Sequence, residues 1–171
     1  ELGIIRNHYV GRTFIEPTQQ IRSLGVKLKH SVNKTLIKNK SLILIDDSLV
    51  RGTTSVKIIK MLYEFGAKEV HMRIASPPIK YPDYYGVDTP TKTELLASKF
   101  DLEDMRKFIN ATTLQFLSIE GLYKSMGYEK RNASYPQFTD HCFTGDYPIV
   151  PLDANDKKFD NDQLSVLSSK V

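Results

Sequence analysis

The spacing of apolar residues changes several times along this chain, and each change marks an element. Leu42-Ile43-Leu44-Ile45 is an apolar run of strand length that ends in Asp46 and Asp47. A loop of mixed polarity follows, and then Val56, Ile59, Leu62 and Phe65 recur at helical spacing with Lys57, Lys60 and Glu64 between them. A short continuous run suits a strand buried on both faces, whereas a period of three to four places one stripe on a core. The pattern therefore predicts a strand over 41–46, a polar loop and a helix from about Thr53 to Phe65. Gly66 stands where a residue past a helix end needs φ > 0. Residues 68–76 read as a second strand, closed by Pro77-Pro78. Strand, helix, strand at this spacing makes a right-handed βαβ unit, and so a parallel sheet.

The flanks are less regular. Leu2 to Ile5 reads as a strand that begins abruptly, a weak way to open a parallel sheet, so the sequence has the look of a fragment. Residues 6–15 alternate loosely, as one arm of a β-ribbon would, until Pro17 breaks them. Residues 19–29 fit neither period, and about 6–38 is expected to be a flexible loop; long loops of this kind are often lids over a site. Beyond Pro78 the pattern predicts a loop over 77–92, a helix starting at 93–97, a helix over 101–109, a strand over 114–117 and a short helix over 118–126. Three divisions are expected: a domain over 1–127, an ordered extension over 128–152 and a flexible tail over 153–171.

Charge and composition narrow the function classes. The net charge is +4, but residues 1–40 carry eight Lys and Arg against Glu1 and Glu16, so the basic character sits before the central strand. That segment is not a continuous basic helix face and has few interleaved aromatics, so a solvated or anion-binding loop is expected rather than nucleic-acid binding. Arg12 and Lys29 are the candidate lid cations; from charge alone, ordinary solvated cations are the favoured reading. No apolar run reaches the length of a membrane span, and no signal-peptide pattern is visible, so neither a membrane nor an export role is expected. The single cysteine, Cys142, excludes an intrachain disulfide and suits a reducing, cytoplasmic compartment. No catalytic His–Cys pairing is legible around it, so it reads as a structural thiol.

The candidate chemistry lies in Asp46-Asp47-Ser48-Leu49-Val50-Arg51-Gly52-Thr53-Thr54-Ser55. Ligands of open α/β sheets sit beyond the carboxyl ends of the strands, against a helix N-terminus. Backbone N–H groups there lack intrahelical partners and favour a phosphate. Gly52 lets the backbone approach closely, and Thr53, Thr54 and Ser55 add hydroxyls. Asp46 and Asp47 suit ribose hydroxyls or an oxygen-seeking metal. The residues predict a sugar-phosphate site. Two acids after an apolar strand also arise by chance, and Ser, Thr and Asp favour any helix start.

The same string resembles the phosphoribosylpyrophosphate (PRPP) signature of type I phosphoribosyltransferases. In extended form it is close to that of the glutamine-dependent amidophosphoribosyltransferases. Asn7 to Ile15, Tyr85-Gly86-Val87-Asp88-Thr89-Pro90 with Glu94-Leu95, and Cys142 to Pro148 point to the same family, in the family's order. The resemblance implies an α/β fold, a type I phosphoribosyltransferase-like parallel sheet flanked by helices and incomplete at its N-terminal side. It implies PRPP binding by Asp46, Asp47, Ser48, Arg51, Gly52, Thr53, Thr54 and Ser55, with Mg²⁺ at Asp46 and Asp47. It raises Arg12 and Lys29, with Lys27, to residues of a lid that closes over PRPP. The implied reaction joins glutamine-derived ammonia to PRPP, giving 5-phosphoribosylamine and pyrophosphate, with purine nucleotides as inhibitors.

The departures from the family pattern carry expectations too. A glutaminase domain and the pyrophosphate-gripping strand would precede Glu1, so this chain alone is expected to be inactive, and the whole protein to be a homo-oligomer. Some members hold an iron–sulfur cluster on four cysteines. Here only Cys142 matches a ligand position; Thr139 and Asp83 stand at two others, so no cluster is expected. Alternatives are a PRPP-binding regulator, another type I phosphoribosyltransferase, or a phospho-receiver domain. The receiver would need a third Asp at the end of a later strand and a Lys beyond it.

Overall fold

A computed structural model describes residues 3–6 and 30–149. Its centre is a three-stranded parallel sheet in the order β3-β4-β5, with β3 at Ser41–Asp46, β4 at Glu69–Ile74 and β5 at Thr113–Phe116. Leu44 pairs with Met72, and Met72 with Leu114, so one row of apolar side chains crosses the sheet. The helix that joins the first two strands is α2, Thr53–Glu64, between α1 (Lys34–Ile37) and the later α3 (Leu96–Lys99) and α4 (Leu102–Ile109). A chain with a parallel pair must cross from one end of the sheet to the other, and an amphipathic helix does this while burying its apolar stripe.

The core lies on one face of the sheet. Val70, Met72, Ile74 and Leu114 pack with Ile59 and Leu62 of α2 and Met105 and Ile109 of α4. The opposite face is open: Ile43 is 69% and Ile45 71% exposed. Its other positions are polar and bond across strands, His71 Nδ1 to Thr113 Oγ1 at 3.0 Å and Arg73 Nη1 to the same oxygen at 2.9 Å. The expected sheet flanked by helices is thus present, with its helices on the face opposite Ile43 and Ile45. The apolar run of β3, which suggested burial on both faces, is covered on one only.

Local chemistry explains the helix limits. Asp101 caps α4 by accepting from the Asp104 N–H at 2.8 Å, and Asn110 ends it in the left-handed region at φ 58°. Ser118 caps α5, Ile119–Ser125, through the Gly121 N–H. Gly66 has φ 90° and follows α2, as its position predicted. The expected helix at 93–97 is instead a 3₁₀ turn, Lys92–Glu94, and α3, separated by Leu95 in an extended conformation. Leu95 is 0% exposed, and the next N–H, of Leu96, is taken by the Val50 carbonyl at 2.8 Å, so tertiary contacts override the local helical pattern.

Two N-terminal expectations change. The opening strand, β1 at Ile4–Arg6, is not a parallel strand; it pairs antiparallel with β2, His30–Val32, in a separate two-stranded sheet. Residues 30–37, inside the stretch read as loop, form β2 and α1, and Asn33 caps α1 by accepting from the Thr35 N–H. Residues 7–29, and with them Arg12, Lys27 and Lys29, lie outside the described residues, as do 150–171 with the expected tail.

The segment after α5 is held by a charge network around the buried Asp140. Arg131 donates to Asp140 at 2.5 Å and to Asp146 at 2.6 Å, and the Tyr123 hydroxyl donates to Asp140 at 2.9 Å. Burial pushes the Asp140 carboxyl up, but these bonds and one from Thr144 outweigh it and hold the group below the ordinary carboxylate range. A carboxyl with a depressed folded value contributes stability that is present above its unfolded value and lost as pH falls through the folded one. Arg131→Met, which leaves Asp140 buried without its cation, is expected to cost about 3 kcal/mol at neutral pH. That loss, read by urea denaturation, is expected to shrink below about pH 4, where Asp140 is protonated in the unfolded chain; an equal loss at pH 7 and pH 3 would contradict it.

Candidate phosphate-binding site

The C-terminal end of β3 delivers two carboxylates and turns at once toward α2. Asp46 Oδ1 accepts from the Asp47 N–H at 3.1 Å, and Asp47 Oδ1 accepts from the Ser48 hydroxyl at 3.0 Å. Asp46 is half-buried and Asp47 exposed. Leu49, 2% exposed, anchors the loop in the core. Gly52 precedes α2 at φ 75°, ψ −9°, a conformation that costs a side-chain-bearing residue and not glycine. A Cβ there would stand 3.0 Å from both Leu96 Cδ2 and Phe108 Cε1.

Among the described residues no side chain caps α2, although it is the longest helix there. The helices begun by Asn33, Asp101 and Ser118 each satisfy an N-terminal N–H with a side-chain oxygen. At α2 the first backbone bond is from Val56 N–H to the Gly52 carbonyl, 2.9 Å. Among the described residues, no side-chain acceptor lies on the N–H groups before it, which carry the positive end of the helix dipole. Thr53 is exposed, Thr54 half-buried and Ser55 3% exposed, so Thr53 is the hydroxyl residue most open to solvent.

The loop is braced from outside. Arg51 Nε donates to Glu94 Oε1 at 3.1 Å, and the other Glu94 oxygen accepts from the Thr91 N–H and hydroxyl. That bond from Arg51 is the main reason the Glu94 carboxyl lies below its ordinary range. Sequence reasoning quoted Glu94 and gave it no role; the Thr91-x-x-Glu94 capping box was the legible signal.

Asp46 and Asp47 offer only oxygen ligands at a strand end, a donor set suited to Mg²⁺. The receiver alternative finds no support at the later strand ends. β4 runs out into Ala75-Ser76 and β5 into Leu117-Ser118, with neither the acid nor the lysine it needs.

No family model matches the chain. It is 61% identical over 99% of its length to the amidophosphoribosyltransferase of Rhizobium etli, and 50% identical over 86% to that of Bacillus subtilis. It is also 51% identical over 91% to the chloroplastic amidophosphoribosyltransferase 2 of Arabidopsis thaliana. In fold it is similar to the B. subtilis glutamine PRPP amidotransferase complexed with ADP and GMP, with a TM-score of 0.71, 50% identity and 86% of this chain covered. A structure of the allosteric regulatory enzyme of purine biosynthesis matches at a TM-score of 0.74 and 48% identity over 90% of this chain. The chain corresponds to the C-terminal part of the amidophosphoribosyltransferases. It spans 34% of the R. etli protein, 31% of the B. subtilis protein and 32% of the B. subtilis structure.

A second cluster joins the loop after β4 to the segment after α5. Asp83, His141 and Cys142 bring a carboxylate, an imidazole and a thiol within 4.8 Å of one another. Asp83 Oδ2 bonds to His141 Nε2 at 2.6 Å, while its other oxygen accepts the Tyr85 and Val87 N–H groups. One thiol and one hydrogen-bonded carboxylate do not make the thiolate set that an iron–sulfur cluster takes. Tyr85 and Tyr147 ring this cluster, each 5.0 Å from the His141 centroid, and Tyr84 lies tilted against Tyr147 with ring centroids 5.3 Å apart. Tyr84 and Tyr85 thus pack on the extension, through Tyr147, His141 and Ile149.

Burial, with the nearby Asp83 charge, pushes the Cys142 thiol up to about 11. The thiolate fraction at pH 8 is then about one in a thousand. Folded protein is therefore expected to react with iodoacetamide at pH 8 at least tenfold more slowly than the urea-unfolded chain. Equal rates would show a reactive thiol.

Proposed function

We propose that this chain is the PRPP-binding part of an enzyme that combines PRPP with glutamine-derived ammonia, giving 5-phosphoribosylamine and pyrophosphate, the first step of de novo purine nucleotide synthesis. The observation that carries the reading is the uncapped N-terminus of α2, set directly after two strand-end carboxylates. It occurs in a chain that aligns along nearly all its length with amidophosphoribosyltransferases.

In this reading the 5-phosphate of PRPP lies on the N–H groups of Gly52 to Ser55, with the Thr53 and Thr54 hydroxyls beside it. Ser48 and Arg51 complete the loop. Asp46 and Asp47 accept the ribose hydroxyls, and their negative charge stabilises the cationic character that builds at C1 as pyrophosphate leaves. Mg²⁺, when bound near these carboxylates through the substrate, supplies charge neutralisation to the pyrophosphate. Arg12 and Lys29 serve as lid cations that face the leaving group and exclude water, so that ammonia and not water attacks C1.

Purine nucleotides, such as those in the B. subtilis complex, compete for the phosphate loop. The partner is a glutaminase domain of the same protein, and the whole assembles as a homo-oligomer in the cytoplasm, a compartment consistent with one unpaired cysteine. Among the described residues no helix is long and apolar enough to cross a membrane. The 171-residue chain, a third of its relatives' length, is inactive alone.

Asp46→Asn with Asp47→Asn, in the longer enzyme, is expected to lower ammonia-dependent phosphoribosylamine formation by on the order of 10²–10³. Glutaminase activity is expected to persist. A transferase rate within tenfold of the parent would remove both carboxylates from the site.

A further inference from the structure

Three consecutive residues of the phosphate loop meet one short segment, with Phe108 of α4 also against Gly52. The Leu96 N–H bonds the Val50 carbonyl at 2.8 Å, Glu94 holds Arg51, and Leu96 presses on Gly52. Three consecutive loop residues are thus fixed by residues 94–96. Of these contacts only the one at Arg51 is made between charged side chains, and its geometry is specific. Glu94 takes the guanidinium at Nε, and among the described residues neither outer nitrogen of Arg51 has a partner. The two outer nitrogens form the edge that pairs with a phosphate or carboxylate. Glu94 in turn is held by the Thr91 N–H at 3.3 Å and the Thr91 hydroxyl at 3.2 Å, so the carboxylate is itself oriented before any ligand arrives.

Both side chains are about half exposed, 49% for Arg51 and 48% for Glu94. An ion pair so exposed adds little to stability. What it does is remove rotamer freedom from Arg51 and from the backbone on either side of it.

We propose that Glu94 is a positioning residue for the sugar-phosphate substrate: it holds Arg51 through Nε, so that the outer guanidinium nitrogens are presented to the 5-phosphate. The assignment rests on the PRPP reading above and adds to it a residue outside the loop that sets substrate affinity. Glu94 touches no reacting atom, so its effect belongs to KM for PRPP and not to kcat.

The experiment uses the longer enzyme with saturating ammonia and varied PRPP, comparing the parent with Glu94→Ala, Glu94→Gln, Arg51→Ala and the Glu94→Ala/Arg51→Ala double variant. Glu94→Ala is expected to raise KM for PRPP about fivefold or more with kcat within about twofold. Glu94→Gln, whose amide oxygen still accepts from Nε and which tolerates loss of the Thr91 contact, is expected to restore most of that affinity. In the Arg51→Ala background, Glu94→Ala is expected to change nothing further. An unchanged KM in Glu94→Ala, or a second full increment on top of Arg51→Ala, would overturn the proposal, the latter because Glu94 would then act without Arg51. A fall in kcat alone would overturn it as well. A parent enzyme that makes no phosphoribosylamine from PRPP would overturn the underlying reading instead, and the two failures are told apart by that single control.

Discussion

The site depends on a close approach at Gly52. At φ 75° the chain leaves the loop and enters α2, and the space a Cβ would fill is occupied by Leu96 and Phe108. Two consequences follow from that contact. Glycine is needed for the turn and again for the packing, so any side chain there meets both strain and a clash. The contact also links the loop to α3 and α4, the helices that finish the core under β5. The loop is therefore part of the packed body, held by the buried Leu49 and, at Gly52, by Leu96 and Phe108. A loop fixed in this way presents its N–H groups already oriented, which lowers the ordering cost of binding.

The sheet beneath that loop is packed from one side. Parallel sheets are usually buried on both faces. Here Val70, Met72 and Leu114 meet helices, while Ile43 and Ile45 stand in solvent beside the bonded His71, Arg73 and Thr113. The polar bonds on that face tie neighbouring strands together and partly replace packing. The exposed isoleucines lie at the edge strand, which is also the strand that carries Asp46. The strand with the most chemical content thus has the least packing of its own, and its position is set by pairing with β4 over all six residues.

The parts legible in the sequence were those with strong local signals. The run over 41–46, the helical stripe from Val56 to Phe65 and Gly66 gave β3, α2 and its end nearly to the residue. The whole proposed loop was readable because its order of residue types is dense in chemistry. What failed depended on distant partners. Leu95 breaks the expected helix because it is drawn into the core and its neighbour bonds Val50, some 45 positions back, and no local pattern encodes that. Residues 30–37 lack an apolar period of their own, and β2 forms because β1 pairs with it. The Arg131–Asp140–Asp146 network joins charges 9 and 15 positions apart within the expected ordered extension, a pairing that no local pattern encodes.

The last constraint concerns what kind of molecule the loop accommodates. Aspartate near a helix start commonly caps that helix, and Asp101 does so for α4. Asp46 and Asp47 do not: Asp46 accepts from the Asp47 N–H, Asp47 accepts from the Ser48 hydroxyl, and five residues of loop separate Asp47 from Thr53. The loop therefore keeps an acceptor-rich carboxylate pair apart from a donor-rich helix end. Had the acids capped α2, each would have neutralised the other. Held apart, they present opposite demands to a single ligand, hydroxyl groups or a cation at one end and an anion at the other. A simple inorganic anion answers only one of these demands and is repelled by the second. The sugar phosphate proposed above carries groups for both, its hydroxyls and its phosphate a few bonds apart.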